Sequence, residues 1–578
     1  MQSWRETRAT IRHGAPRWCE GILAVGLMAL LVAPSSGRAA EVQKTTAKRP
    51  TARRRGVTAV AVPKAALTGS AREIVDYANT QMRQGWTDNE VKPSAVAGDA
   101  EWVRRVHLDL VGAIPPLETV EAFLKDRDPA KRTKLIDNLL DDPGYVRNWT
   151  TIWSNLLIGR RTPRRVSRSG MRKFLREAFA RNRPWDKIVF DLVSAEGHFE
   201  KNGAVNYLLA QMVMDDDGVQ ATAKTTRLFM GIQVQCTQCH NHPFNDWKQN
   251  QFWEFNNFFR QLDKVDHRKY DPKSGRMVDD YSEVVFKEFN ENVFFEQRAG
   301  TLQMVKPRFF ETRVDVKPST DLRKELAKLM VAGDDSLISR AMVNRMWGHF
   351  FGYGFTKPLD DMGPHNPSTH PELLDRLSRE FVKSGYDIKQ LARWICNSEP
   401  YHLTSQVGAG NAVDNPAAGE APLFSHMYLK GMEAEQLYDS LIIATGAHKA
   451  GGSGWEESER QRRRWLGQFV IAFGTDENDE ATTFNGTIPQ ALMMMNGELV
   501  EKATSAERGS FLNKILSGAG TDASRVRRLF LSTLTREPSR RELAAAQQLL
   551  KENRNSPITA YQDLYWALLN SNEFISNH

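Results

Sequence analysis

Apolar side chains recur every three or four residues from Ser70 to the end of the chain, and that period commits most of the sequence to amphipathic helices. Val120, Phe123 and Leu124 share a face after Pro115-Pro116. Leu135, Ile136, Leu139 and Leu140 form the next, halted at Asp142-Pro143-Gly144, and Trp149, Trp153, Leu156 and Leu157 continue the spacing. Further helices are predicted over 171–181 and 185–193, and a stretch near 221–234 delivers the chain into the cysteine cluster. From 263 to about 316 the texture turns polar and Gly-punctuated, and the alternation through Tyr281-Ser282-Glu283-Val284-Val285-Phe286 predicts short strands or hairpins. Helical spacing returns at Leu322, Leu326 and Leu329, and at Leu337, Ala341, Met342 and Met346 behind an Asp334-Asp335-Ser336 cap. It recurs at Leu373, Leu374, Leu377 and Phe381, at Ile388, Leu391, Ala392 and Ile395, and over the last 45 residues or so. The expected fold is mainly α, with two helical domains at 69–262 and 319–578 and a small β-containing insertion at 263–318 between them.

The chain carries a net charge of +8, which would suit a nucleic-acid binder if it were spread over a folded surface. It is not. The first 55 residues hold eleven Lys and Arg against three Glu, a surplus that equals the net charge of the whole chain. Nucleic acid is therefore not an expected partner. Arg5, Arg8, Arg12 and Arg17 precede an apolar run from Gly21 to Pro34, followed by the small residues Ser35-Ser36-Gly37-Arg38-Ala39-Ala40. That order is a secretory signal over 1–40, with an apolar core shorter than the ~18 residues that span a bilayer. The expected location is periplasmic or otherwise extracytoplasmic, with no transmembrane span after cleavage. Residues 41–68 lack periodicity and are rich in Lys, Arg, Thr and Ala, as in a disordered basic tether that either spaces the body or meets an acidic envelope polymer.

Cys236-Thr237-Gln238-Cys239-His240 has the c-type haem attachment pattern, in which two thiols bond the porphyrin vinyl groups and the adjacent His becomes an axial iron ligand. Two other chemistries stay open: a Cys236-Cys239 disulfide, and a divalent metal held by the cysteines with His240 and His242. For a second axial haem ligand the spacing selects none of His242, His198, Met212, Met214, Met304 and His365. The aromatic run Phe244, Trp247, Phe252, Trp253, Phe255, Phe258 and Phe259 suits either a porphyrin wall or core packing, and packing is the simpler reading.

A second polar constellation, Asp360, Asp361, His365, Asn366 and His370, occupies a Pro- and Gly-broken loop. It could hold a metal or share acid and base roles. The plainer expectation is structural: Ser368 or Thr369 capping a helix that starts at Pro371, and Asp361 pairing with Arg345. Cys396, on an apolar helical face, is expected to be buried. No phosphate-binding Gly loop, nucleophile elbow or His-Glu-x-x-His helix occurs.

The run from Leu228 to Trp247, LFMGIQVQCTQCHNHPFNDW, resembles the core of the planctomycete cytochrome-associated domain of unknown function, and the run from Arg105 to Pro115, RVHLDLVGAIP, resembles its opening. Downstream, 343–352 (VNRMWGHFFG), 366–374 (NPSTHPELL) and 563–574 (DLYWALLNSNEF) resemble the companion planctomycete domain of unknown function that commonly follows it. The resemblance implies an exported protein, of a kind often fused to or encoded with cytochrome c modules, and it implies no reaction. Asn241 stands where an acidic residue is usual, which leaves a carboxylate partner for His240 or His242 in question. The segment 474–486 lacks the cysteine-containing stretch of many relatives. The resulting functional reading is an exported envelope protein that binds haem c through Cys236, Cys239 and His240 and acts in electron transfer or an associated oxidation, with a redox partner or cytochrome c module. A non-haem envelope binding or scaffold protein remains open, as does a metal-dependent hydrolase acting on an acidic polysaccharide.

Overall fold

The apolar stripes become buried helix faces in the computed structural model, which describes residues 67–214, 217–289, 292–317, 319–333, 336–450, 455–473 and 488–578. The expected signal and nearly all of the basic tether lie outside the described residues, as do Asp334, Asp335 and the 474–486 segment. The described residues form one unit by their internal contacts, and it is mainly helical. The turn signal Asp142-Pro143-Gly144 starts a helix as well as ending one: the Asp142 carboxylate accepts from Gly144 N, and Pro143 opens the Pro143–Ile158 helix. Trp153 on that helix meets Trp185, the first residue of the Trp185–Ser194 helix, with ring centroids 4.4 Å apart.

The strands fall where alternation placed them. Leu262–Asp271 and Arg276–Phe286 form an antiparallel hairpin whose turn ends on Gly275 in the left-handed region, φ +66°. A short strand at Gly197–His198 pairs with the second arm. Two smaller hairpins follow, Val293–Glu296 with Leu302–Val305 and Arg308–Phe309 with Thr312–Arg313. Ser336 precedes the Leu337–Phe351 helix but does not cap it; its hydroxyl bonds the Tyr386 hydroxyl at 2.9 Å instead.

One apolar core runs from Leu67 to Tyr428, and a second gathers residues 432–574 together with Leu108 and Ile114. The Asp99–Val111 helix borders both, and its Arg104, Arg105, His107 and Asp109 side chains are buried too. Buried charges need partners, and these find them far along the chain. Arg104 donates to the carbonyls of Thr533 (2.8 Å) and Phe574 (2.6 Å), and Arg105 to those of Tyr401, Leu403 and His578. Asp109 accepts from Lys430 Nζ at 2.8 Å, the Tyr401 hydroxyl at 2.7 Å and Asn577 Nδ2 at 2.7 Å. Lys430 Nζ also donates to the carbonyls of His349 and Phe350, while Lys430–Gly431 pairs as a strand with Ser576–Asn577. Cys396 is buried, as expected, and burial raises its thiol pKa well above the ordinary value.

Candidate functional site

The Val219–Met230 helix ends on Gly231 in the left-handed conformation, φ +66°, and the chain then runs directly into the cysteine motif. Gln235–Gln238 makes one 3-10 turn, with Thr237 buried and its hydroxyl bonded to the Val234 carbonyl at 2.6 Å. That inward Thr leaves Cys236 and Cys239 exposed, both as free thiols, with His240 exposed beside them. His240 Nδ1 donates to the Asn241 carbonyl at 2.7 Å, which places the proton on Nδ1 and leaves Nε2 with its lone pair. An imidazole held in this way is prepared for a metal ion.

The Gln249–Asn256 helix fixes the turn in place. Gln249 Nε2 donates to the Gln238 carbonyl at 3.2 Å and to the Glu296 carbonyl at 3.0 Å; Trp253 Nε1 adds a second bond to Gln238 O at 3.1 Å. Asn241 Oδ1 accepts from Gln249 N at 2.9 Å, satisfying a free donor of the helix's first turn. The side chain at 241 thus serves the helix rather than a histidine. His242 Nδ1 accepts from the backbone N–H groups of Phe244 and Asn245, both at 3.2 Å, which assigns its proton to Nε2. Of the aromatic run, Phe252, Phe255, Phe258 and Phe259 are core residues, whereas Phe244 is 83% exposed. The cavity behind the motif, lined by Val234, Trp247, Phe252, Phe255 and Phe310, has a free interior of about 20 Å³. That is room for one water molecule, so this part of the aromatic run is packing.

The second constellation divides. Asp360 accepts from Arg227 Nε at 2.6 Å and from Gln233 Nε2 at 3.0 Å, bracketing the segment that leads to Cys236. It is Asp360, not Asp361, whose charge acts on Arg345. Asp361 Oδ1 lies 3.1 Å from His365 Nε2, and the His365 ring sits 6.1 Å from the His242 ring, centroid to centroid. His370 lies apart from that pair. It is buried between the Phe355 and Phe424 rings and the backbone of Gly85, where a Cβ would come within 2.8 Å of Nε2. Burial holds its imidazole down to a pKa of about 4. The expected cap is also different: His370 itself precedes the Pro371–Lys383 helix, and the Ser368 hydroxyl accepts from His370 N.

The fold therefore brings Cys236, Cys239, His240, His242, Asp361 and His365 to one surface region, braced by Asp360, and leaves His370 outside it. Among the described residues no group of three or more His, Cys, Asp or Glu side chains is placed to hold a metal ion. The donor set for haem fits better: two free exposed thiols and an adjacent imidazole with Nε2 available. Sequence reading missed Gln249 and Trp253 as the groups that pin the motif. It also missed the meeting of His242 with His365, since no local pattern marks either.

Residues 78–264 match PSCyt2, a protein of unknown function (DUF1549), and residues 322–550 match PSD1, a protein of unknown function (DUF1553). No curated protein and no solved structure matches the chain. The cysteine motif lies in the first matched segment and the 360–370 loop in the second, so the approach of His242 to His365 joins the two. These two matches give the chain a PSCyt2 segment followed by a PSD1 segment, the order its motifs indicate.

Proposed function

We propose that this protein is exported and holds one c-type haem at Cys236-Thr237-Gln238-Cys239-His240, passing electrons to or from a redox partner or cytochrome c module outside the cytoplasm. The observation that carries the reading is the state of the motif: both thiols exposed and unpaired on a pinned turn, with His240 presenting Nε2 because Nδ1 is engaged by a carbonyl. When bound, haem supplies one-electron exchange. Cys236 and Cys239 would anchor it and His240 would be the proximal ligand. Each thioether forms by addition of S–H across a vinyl group, so attachment adds the whole cofactor to the chain mass and needs no oxidant.

The test is intact mass and haem staining of the full chain made in cells with a haem-attachment system. The expected product is the chain cleaved after residue 39 or 40 plus one haem, with Cys236→Ser/Cys239→Ser losing the haem. A wild-type chain lighter by two protons and without haem would overturn the reading in favour of a disulfide-bonded scaffold.

A further inference from the structure

The folded body is neutral as a whole but not in every part. Eight Lys and Arg fall between Arg160 and Arg176, seven of them Arg, and no Asp or Glu stands among them. Acids from elsewhere in the fold neutralise the beginning of the run: Arg160 pairs with Glu433 and Glu435, Arg164 with Asp279, and Arg165 with Asp266 and Asp279. They stop there. Among the described residues Arg161, Arg168, Arg172, Lys173 and Arg176 form no ion pair.

Three of these charges stand in a row. The Arg168–Ala180 helix places Arg168, Arg172 and Arg176 one turn apart on one face. Arg168 donates to neutral acceptors alone, among them the Gly159 carbonyl at 2.7 Å and the Arg160 carbonyl at 2.9 Å, and Arg172 donates to the Thr151 hydroxyl at 3.2 Å. Like charges four apart on a helix repel, and a cation in the first turn opposes the helix dipole. Burial lowers the pKa of Arg168 and Arg172, the next guanidinium in the row pushes the same way, and Glu435 opposes it. The fold thus holds this row against its own electrostatics, with two of the three guanidinium groups already fixed in place. Arg176, the third, is exposed.

A polymer carrying anions at intervals complements such a row. Guanidinium groups take oxyanions through two parallel hydrogen bonds, which an ammonium cannot do, and groups fixed beforehand lose less freedom on binding. From Arg168 to Arg176 the helix rises about 12 Å, more than one oxyanion occupies. Outside the cytoplasm the polyanion that a protein meets is envelope polysaccharide rather than nucleic acid. Resting on the extracytoplasmic location proposed above, we propose that the face of Arg168, Arg172 and Arg176 is a docking surface for a linear acidic polysaccharide bearing sulfate or carboxylate groups.

The test is retention of the full exported chain on dextran sulfate, on polygalacturonate and on uncharged dextran across a salt series. The wild type is expected to bind one or both anionic polymers and not dextran, the tighter of the two identifying the anion. Arg172→Gln/Arg176→Gln is expected to weaken that binding on the order of tenfold. Arg53→Gln/Arg54→Gln/Arg55→Gln, which removes more charge but from the tether, weakens it less. Arg172→Lys/Arg176→Lys keeps the charge and recovers only part of the loss. Arg176→Gln leaves the thermal midpoint unchanged or raised, because it relieves repulsion, so its weaker binding is not unfolding. Binding that follows the charge removed rather than its position, or that is indifferent to the row, would overturn the docking surface; duplex DNA bound as tightly and with the same dependence on the row would overturn the polysaccharide as its occupant. Haem staining is retained in every variant, so none of these results touches the haem reading, whereas an uncleaved chain found in the cytoplasm overturns the export on which this surface rests.

Discussion

At the scale of single residues, His370 shows how a polar side chain with the look of a functional group can be structural. Its imidazole stays neutral in the folded protein down to about pH 4, held there by burial. In the unfolded chain it titrates near the ordinary 6.5. Between those values the unfolded state binds the extra proton, so stability falls as the pH drops from 6.5 towards 4 and is unaffected above that window. The loss from this one group is on the order of 3 kcal/mol. Burial holds His107 and His578 at about 4 as well, and they act in the same direction. Urea midpoints should therefore fall steeply between pH 7 and pH 4.5, and His370→Gln should flatten part of that slope. In the sequence His370 and His365 looked equivalent, five residues apart in one loop. What separates them is Gly85 and Phe424 on one side and His242 on the other, all distant along the chain.

At the scale of elements, the sequence was legible wherever an element's own side chains decided it. The helix expected over 171–181 is Arg168–Ala180, and the one over 185–193 is Trp185–Ser194. The stretch entering the motif is helical from Val219 to Met230, where Gly231 ends the helix in a left-handed turn. That break lets Met362 N bond the Gly231 carbonyl at 2.7 Å and so docks the 360–366 loop on the motif's stem. Gly231→Ala is expected to cost about 1–2 kcal/mol, since a side chain is disfavoured at φ +66°. A Cβ would also approach the Met362 methyl to 2.5 Å, a contact that a flexible methionine can relieve. Thermal unfolding of the variant beside Gly231→Asn, which tolerates the left-handed region better, separates backbone strain from crowding. The hairpins were legible as strands but not in their placement, because alternation reports which face is apolar and not that Phe295 would pack on Trp253.

At the scale of the whole molecule, the Asp109 cluster ties the first matched segment to the second. Burial lowers the Lys430 pKa and the Asp109 charge opposes that shift, so the ammonium depends on the carboxylate beside it. Asp109→Ala leaves Lys430 buried and uncompensated, at a cost of about 3–5 kcal/mol, and Asp109→Ala/Lys430→Met should recover part of it; chemical denaturation of the two variants measures both. No spacing rule could have exposed this cluster, since the partners of Asp109 are Tyr401, Lys430 and Asn577, all about 290 residues or more away along the chain. Among the described residues no helix is long and apolar enough to cross a membrane. The span of the cluster has a consequence in time. The Asp99–Val111 helix waits for acceptors and donors that lie 429 to 473 residues later. At ~5–20 residues per second of synthesis, that interval is roughly 20 to 90 s. For that period the charged side chains of this helix lack these partners.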